Sequence, residues 1–342
     1  MLEMWPPSSI WLLWFSFGLT SVVIAVGGYF LLIYADAIAD RIQLGRTWVG
    51  AVLLATVTSL PELIAAIGAV MADGPDMAAG NVLGSCAFNL SLVFLLDALY
   101  RERSVYSRAS HSHVLSGSLS IILVGVLILC LALRVQDLDF NLGHVGVDTL
   151  FIFVFYGFAM RTLHRFGIQE TTIPEEQEAK PGLSTEALIT RYLIASVIVV
   201  LAGWSLPIIG REIVHIMGWN EAFVGTVLIA FTTSLPEMAV TLAAIRVGAV
   251  DLAFANVLGS NLFNIAILGI SDLFYFKGPL LDAVQPIHQV TGLITIMMTG
   301  LVLVALVHNP KRRWFNTVSG LSLTILLLYI LNTLVLFRGE GP

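Results

Sequence analysis

The stretch Thr58-Ser59-Leu60-Pro61-Glu62 (TSLPE) recurs unchanged as Thr233-Ser234-Leu235-Pro236-Glu237. Each copy sets a glutamate inside an apolar run, where an ionised carboxylate is expensive unless something pairs with it. At the constant offset of 175 residues (237 − 62), VLGS at 82–85 aligns without a gap on VLGS at 257–260. Asn81 falls on Asn256, Phe88 on Phe263, Asn89 on Asn264 and Asp76 on Asp251. A duplication of this length decides the architecture, because membrane proteins built from repeated halves place their site where the halves meet.

Composition sets the class. The chain has 342 residues, 57% hydrophobic and 12% charged, with mean hydropathy +0.90. Soluble domains carry roughly 25% charged residues, so this is a polytopic membrane protein whose first partner is the lipid bilayer. A span needs about 20 predominantly apolar residues. Ten stretches qualify: 10–34, 48–72, 77–99, 114–133, 145–163, 189–210, 221–245, 252–276, 287–307 and 315–337. Short polar turns join most of them, which predicts one compact helical bundle. The exception, 164–188, holds Pro, Gly and five glutamates at the midpoint of the chain and reads as a flexible linker. Without EF-hand spacing those acids are read as solvated, not as a calcium sensor.

Several classes drop out. Cys86 and Cys130 lie in apolar runs, which indicates neither a disulfide framework nor a thiolate metal site. No basic tract with interleaved aromatics suggests a nucleic-acid partner. The start, MLEMWPPSS, has an acid where a cleaved signal has a basic region, so the first span is expected to be retained. No HExxH-type motif or nucleophile and base pair suggests an enzyme, and no catalytic residue or cofactor is assigned.

Basic residues orient the chain. With the amino terminus outside, 13 of the Lys and Arg residues fall in cytoplasmic segments, leaving only Arg134, Arg211, Lys277 and Arg338 outside. This follows the positive-inside rule and puts both termini outside. The second and seventh spans are then five crossings apart, an odd number, so the TSLPE copies run in opposite directions. The expected fold is therefore an all-α integral membrane protein: ten transmembrane helices as two inverted five-helix repeats, 1–165 and 189–342, with a cytoplasmic linker at 166–188.

The repeated stretch suits a hard cation. Pro61 cannot donate to the carbonyl of Val57, and Pro236 does the same to Thr232, so carbonyls around Thr58 and Thr233 lose helical partners. Freed carbonyls at membrane depth are tolerated where they line a cavity or bind an ion. Glu62 follows Thr58 by four residues on the same helix face, so carboxylate and carbonyl oxygens converge. Ser85 and Asn89, like Ser260 and Asn264, are also four apart, with Gly84 and Gly259 permitting close helix approach. Small polar residues of this kind also serve as interhelical glue, but two matched copies favour a site. The donors are oxygens, without sulfur or imidazole.

TSLPE followed by GNVLGSCAFN, and TSLPE followed by ANVLGSNLFN, resemble the two alpha-repeats of the calcium/cation antiporter superfamily, nearest its prokaryotic sodium/calcium exchangers. The corresponding motifs span 55–97 and 230–272. The resemblance implies calcium ligands at Glu62, Glu237, Thr58 and Thr233. It implies sodium or supporting ligands at Ser59, Ser85, Asn89, Ser234, Ser260 and Asn264. It further implies alternating access, with the first and sixth helices sliding across the other eight. Val57 and Thr232 stand where the pattern has glycine, and Cys86 stands where its mate is Asn261. Both central positions are amides, so the fixed charge is limited to two carboxylates, enough for one calcium, whereas three sodium ions would leave an excess of one positive charge.

The expected function is calcium-for-sodium antiport at one central two-glutamate site in a prokaryotic inner membrane. Calcium/proton exchange at the same carboxylates is the alternative, favoured by the two amides and disfavoured by the serine of TSLPE. A cation channel is a weaker one. His111 and His113 are read as interfacial and solvated, Asp97 and Asp272 as capping or interhelical bonding, and the PKRRW around Lys311 as a topology anchor.

Overall fold

A computed structural model describes residues 10–41, 56–100, 104–110, 112–134, 141–167, 184–310, 313–314 and 317–339. The protein is all-helical, which satisfies every backbone group of a spanning segment internally. The helices are α1 (Ile10–Arg41), α2 (Leu60–Met71), α3 (Pro75–Leu99), α4 (Ser112–Arg134), α5 (Val147–Gly167) and α6 (Thr185–Met217). They continue with α7 (Glu221–Thr233), α8 (Leu235–Arg246), α9 (Val250–Leu273), α10 (Ile287–His308) and α11 (Gly320–Arg338). Two short hairpins, β1–β2 (Asn141–Leu142 with Val145–Gly146) and β3–β4 (Arg313–Trp314 with Val318–Ser319), lead into α5 and α11.

Among the described residues seven helices are long and apolar enough to cross a membrane, and α7 with α8 makes an eighth crossing if that bent pair is one span. The chain is thus a multi-pass membrane protein. The stretch expected to cross at 145–163 is a 21-residue helix, α5, which is not among those helices. The stretch expected at 48–72 is described only from Thr56 onward. Most of the 164–188 linker, together with His111 and Lys311, lies outside the described residues.

Burial sorts the helices into layers. In α3 and α9, 78% of the apolar window is buried inside the protein, against 22% in α1 and α11. The repeated motifs VLGS and the two central asparagines therefore sit on the two innermost helices. α1 and α6, of 32 and 33 residues, pack against each other. At 1.5 Å per residue each is about 48 Å long, well beyond the ~30 Å hydrocarbon thickness, so they tilt or project from it.

Local signals place the ends. Pro75 opens α3, where its missing N–H costs nothing. Gly218, in the left-handed region at φ 65°, closes α6, and Asn220 caps α7 by accepting from the Ala222 amide at 2.7 Å.

Each inner helix is anchored at both ends by an aspartate. Asp76, at the start of α3, accepts from the Gln285 amide (2.7 Å) and pairs with His288 Nε2 (3.1 Å). Asp251, at the start of α9, accepts from the Ser110 amide (2.6 Å) and pairs with His113 Nε2 (3.0 Å). At the far ends, Asp97 takes the Ser319 amide and the Ser322 hydroxyl, both at 2.7 Å. Asp272 takes the amides of Gly146 (3.0 Å) and Leu280 (2.6 Å) and the Thr149 hydroxyl (2.6 Å). Residues 175 apart thus make matching contacts, and the aspartates bond between helices as their positions suggested.

Glycines allow the inner helices to meet backbone to backbone. A Cβ at Gly84 of α3 would land on the backbone of Thr226, and one at Gly225 would lie 2.6 Å from the Met77 carbonyl oxygen. The α7 turns facing α3, Val224–Ile229, are widened to a π-helix, a device common beside functional sites.

Gly84→Ala is expected to lower the thermal midpoint of the detergent-purified protein, at a cost of about 1–3 kcal/mol for overpacking. Gly125→Ala, with no atom within 4 Å of the added carbon, is expected to leave it unchanged or slightly raised. Equal midpoints for the two variants would contradict the close α3–α7 contact.

Candidate cation-binding site

The site is built where two helices break. Pro61 and Pro236 stand at the second positions of α2 and α8, and the residue before each helix, Ser59 or Ser234, leaves helical geometry (φ −89°, ψ 13° and φ −85°, ψ 8°). A proline has no N–H to continue the preceding ladder and its ring crowds the turn, so the break falls at TSLPE in both copies. At the second break α7 and α8 meet at 47°. Glycines on the long helices accommodate the prolines: a Cβ at Gly28 of α1 would fall on the Pro236 ring, and one at Gly203 of α6 would lie 3.4 Å from the Pro61 carbonyl oxygen.

The breaks bring the two copies together. Ser59 donates its hydroxyl to Glu237 Oε1 at 2.8 Å, and Ser234 donates to Glu62 Oε1 at 2.9 Å. Each serine therefore serves the glutamate of the other copy. All four side chains are fully buried. Thr58 lies against Glu237 and Thr233 against Glu62, and Thr233 also donates to Asn81 Oδ1 at 3.1 Å.

The second carboxylate oxygens are different. Glu62 Oε2 and Glu237 Oε2 are buried with no hydrogen-bond partner, and so are Ser85 Oγ, Ser260 Oγ, Asn89 Oδ1 and Asn264 Oδ1. Six orphaned oxygens thus belong to residues of the two glutamate and two serine–asparagine motifs. Buried polar atoms are normally paired, and each exception needs an explanation. Oxygens from carboxylates, hydroxyls and amides, six to eight in number, are what a calcium ion takes. Among the described residues no three His, Cys, Asp or Glu side chains come together.

The two halves differ beside the central asparagines. Asn261 donates to the Cys86 carbonyl (3.1 Å) and accepts from Asn89 Nδ2 (3.2 Å), which fixes the Asn89 amide. Its counterpart at the 175 offset is Cys86, whose thiol donates to the Asn261 carbonyl at 3.7 Å and lies against the Asn264 side chain. A thiol cannot repeat the amide bridge, so the buried Asn264 has no amide partner of the kind Asn89 has.

Three features were not foreseen from the residues. Asn81 Nδ2 donates to the Glu62 carbonyl and Asn256 Nδ2 to the Glu237 carbonyl, each at 3.0 Å, tying the inner helices to the broken ones. Their alignment at the offset was visible, but not their partner. His113 is buried, not solvated, because Asp251 and the face of Phe254 (rings 5.7 Å apart) enclose it. The signal was available: His113 plus 175 is His288, which holds Asp76 in the same way.

The sodium/calcium exchanger protein family matches residues 12–163 and 187–338, most of the chain. The sodium/calcium exchanger MaX1 of Methanosarcina acetivorans is 25% identical over 92% of this chain and 96% of its own. The inner membrane protein YrbG of Escherichia coli is 28% identical over 73% of this chain and 78% of its own. A solved structure of the sodium-calcium exchanger NCX_Mj shares the fold with TM-score 0.60, at 23% identity, over 94% of this chain and 97% of that one. By its two matched segments, each carrying one TSLPE copy, the chain belongs to the sodium/calcium exchanger protein family, whose members are transporters and not enzymes.

Proposed function

We propose that the protein is a secondary antiporter that exchanges calcium for sodium at one central site made of two inverted five-helix repeats. The observation that carries this reading is the crossed pairing of Ser59 with Glu237 and Ser234 with Glu62, which leaves one oxygen of each buried carboxylate without a partner. The calcium ligands are the Glu62 and Glu237 carboxylates with oxygens of Thr58 and Thr233. The sodium or supporting ligands are Ser59, Ser85, Asn89, Ser234, Ser260 and Asn264. The exchange rule follows from desolvation. Two bare carboxylates are costly to close away from water, whereas the same pair neutralised by bound cations is not. Only a loaded site crosses, so one cation must be bound for another to leave.

Several observations support the organisation. The matched segments begin at 12 and 187 and end at 163 and 338, each pair 175 apart, as TSLPE is. This favours repeats at 1–165 and 189–342 around a linker at 166–188, and ten crossings that count α2 with the residues before it and α5. The asymmetry of Lys and Arg favours both termini outside. α1 and α6, lying on the two prolines through Gly28 and Gly203, are the pair that slides to expose the site alternately. MaX1 is a sodium/calcium exchanger by name, and the NCX_Mj structures concern extracellular ion exchange and induced occlusion of a binding site. The name of YrbG favours the inner membrane. Proton-for-calcium exchange is the second reading, favoured by the amides at Asn89 and Asn264.

In proteoliposomes loaded with sodium, calcium uptake is expected to follow the sodium gradient, and a pH gradient alone is expected to drive little. The reverse result selects the proton reading, and ohmic single-channel currents would overturn antiport altogether. Glu62→Gln and Glu237→Gln are each expected to cut calcium flux at least about tenfold, because site charge sets calcium affinity. Flux equal to the parent in both variants removes the glutamates from the site.

Ser59→Ala and Ser234→Ala each remove one hydroxyl from the opposite glutamate, a hydrogen bond to a charged group worth about 1.5–3 kcal/mol. Each is expected to weaken apparent sodium affinity more than it lowers the thermal midpoint. Unchanged sodium dependence in both would show that the serines only pack.

A further inference from the structure

We infer that the chain carries a site for the headgroup of an anionic phospholipid, between the end of α3 and the end of α8, with Arg108 and Arg246 as its phosphate ligands. The inference rests on the membrane-spanning fold and is independent of which cations are exchanged.

The site is a cavity of about 670 Å³, within the size range of small-molecule sites. Its walls are apolar: Leu95 and Leu99 stand one turn apart on α3, and Leu242 and Ile245 share a face of α8. Two guanidinium groups line the same cavity, Arg246 from the last turn of α8 and Arg108 from the turn before α4. Both residues are exposed, and among the described residues neither has an acidic partner. The acids at the adjoining helix ends are engaged elsewhere, Asp97 with Ser319 and Ser322, and Asp251 with Ser110 and His113. The dipole of a helix C-terminus accounts for Arg246 by itself. It does not account for a second arginine that reaches the same cavity from another segment.

Two like charges lining one cavity, with no acid between them, favour an anion there. Guanidinium groups present forks of N–H donors that match phosphate oxygens. The leucine walls then select among phosphates. They offer nothing to a free hydrated ion, whereas they continue the acyl chains of a phospholipid, and Leu99, 51% exposed, carries that apolar wall to the outside of the bundle. The depth also fits. Two membrane-embedded helices end here, and Tyr100 adds an aromatic ring of the kind found at headgroup level. This is the face proposed as cytoplasmic, where basic pockets between spanning helices recognise anionic headgroups. Arg246 lies nine residues beyond Glu237 on the same helix, about 14 Å at 1.5 Å per residue. A headgroup held by both arginines therefore joins the helix that carries one site glutamate to the segment leading into α4.

The test titrates the 342-residue chain, purified in neutral detergent, with phosphatidylglycerol, phosphatidylcholine or inorganic phosphate, following retained lipid by native mass spectrometry and the thermal midpoint. Phosphatidylglycerol is expected to be retained and to raise the midpoint with its concentration, and the other two are expected to do neither. Arg108→Gln and Arg246→Gln are each expected to weaken that retention about fivefold, the ~1 kcal/mol that one basic residue adds near an anionic surface at 1.4 kcal/mol per tenfold. The double variant is expected to lose the preference, and Arg191→Gln, at an exposed position of α6 that does not line the cavity, to keep it. Equal retention of the two lipids by the parent, a comparison that needs no variant to fold, overturns the inference. So does a preference that survives the double variant. A midpoint raised as much by inorganic phosphate assigns the cavity to a free anion and overturns the lipid.

Discussion

Two carboxylates facing each other inside a membrane protein are the constraint from which the rest of the structure follows. Neither glutamate can stay charged in an apolar interior alone, and neither has a basic partner among the described residues. The structure meets half of their demand with the crossed serine hydroxyls, at 2.8 and 2.9 Å, and leaves the other half unmet. A fully satisfied pair would be an inert core contact. A half-satisfied one suits the cation proposed for it, and the surrounding orphaned oxygens of Ser85, Ser260, Asn89 and Asn264 are of the kind that would complete a cation's shell.

Holding that arrangement requires a frame around the two chain breaks. The frame is α3 and α9, pinned at both ends by Asp76, Asp97, Asp251 and Asp272, each bonded to a neighbouring helix start or loop. Asn81 and Asn256 then tether the broken helices to the frame through the carbonyls of the glutamates themselves. Outside it, α1 and α6 rest on Pro236 and Pro61. The two breaks thus lie against both outer helices, α1 at the Pro236 ring and α6 at the Ile64 side chain and the Pro61 carbonyl, which links the candidate site to the elements proposed to move.

The repeat is not perfectly symmetric, and its asymmetry has chemical content. The Cys86 thiol stands where the other half has an amide, so that Asn89 is held by the Asn261 amide whereas Asn264 has the weaker thiol beside it. Symmetry builds the scaffold, and this departure makes the two halves inequivalent at the central asparagines.

Much of this was legible in the residues, because burying charge in a membrane is so costly that the exceptions stand out in the sequence. TSLPE, its copy 175 residues on, the prolines, and the serine and asparagine spacings marked the candidate site, and long apolar runs marked the helical class. Periodicity and offset report which residues are equivalent, but not which ones touch. The crossing of each serine to the opposite glutamate, the tethers from Asn81 and Asn256, and the burial of His113 against Asp251 all join residues far apart in the chain. Only the packed tertiary structure could decide them, because hydrogen bonds across helices depend on rotation and depth that no local pattern specifies.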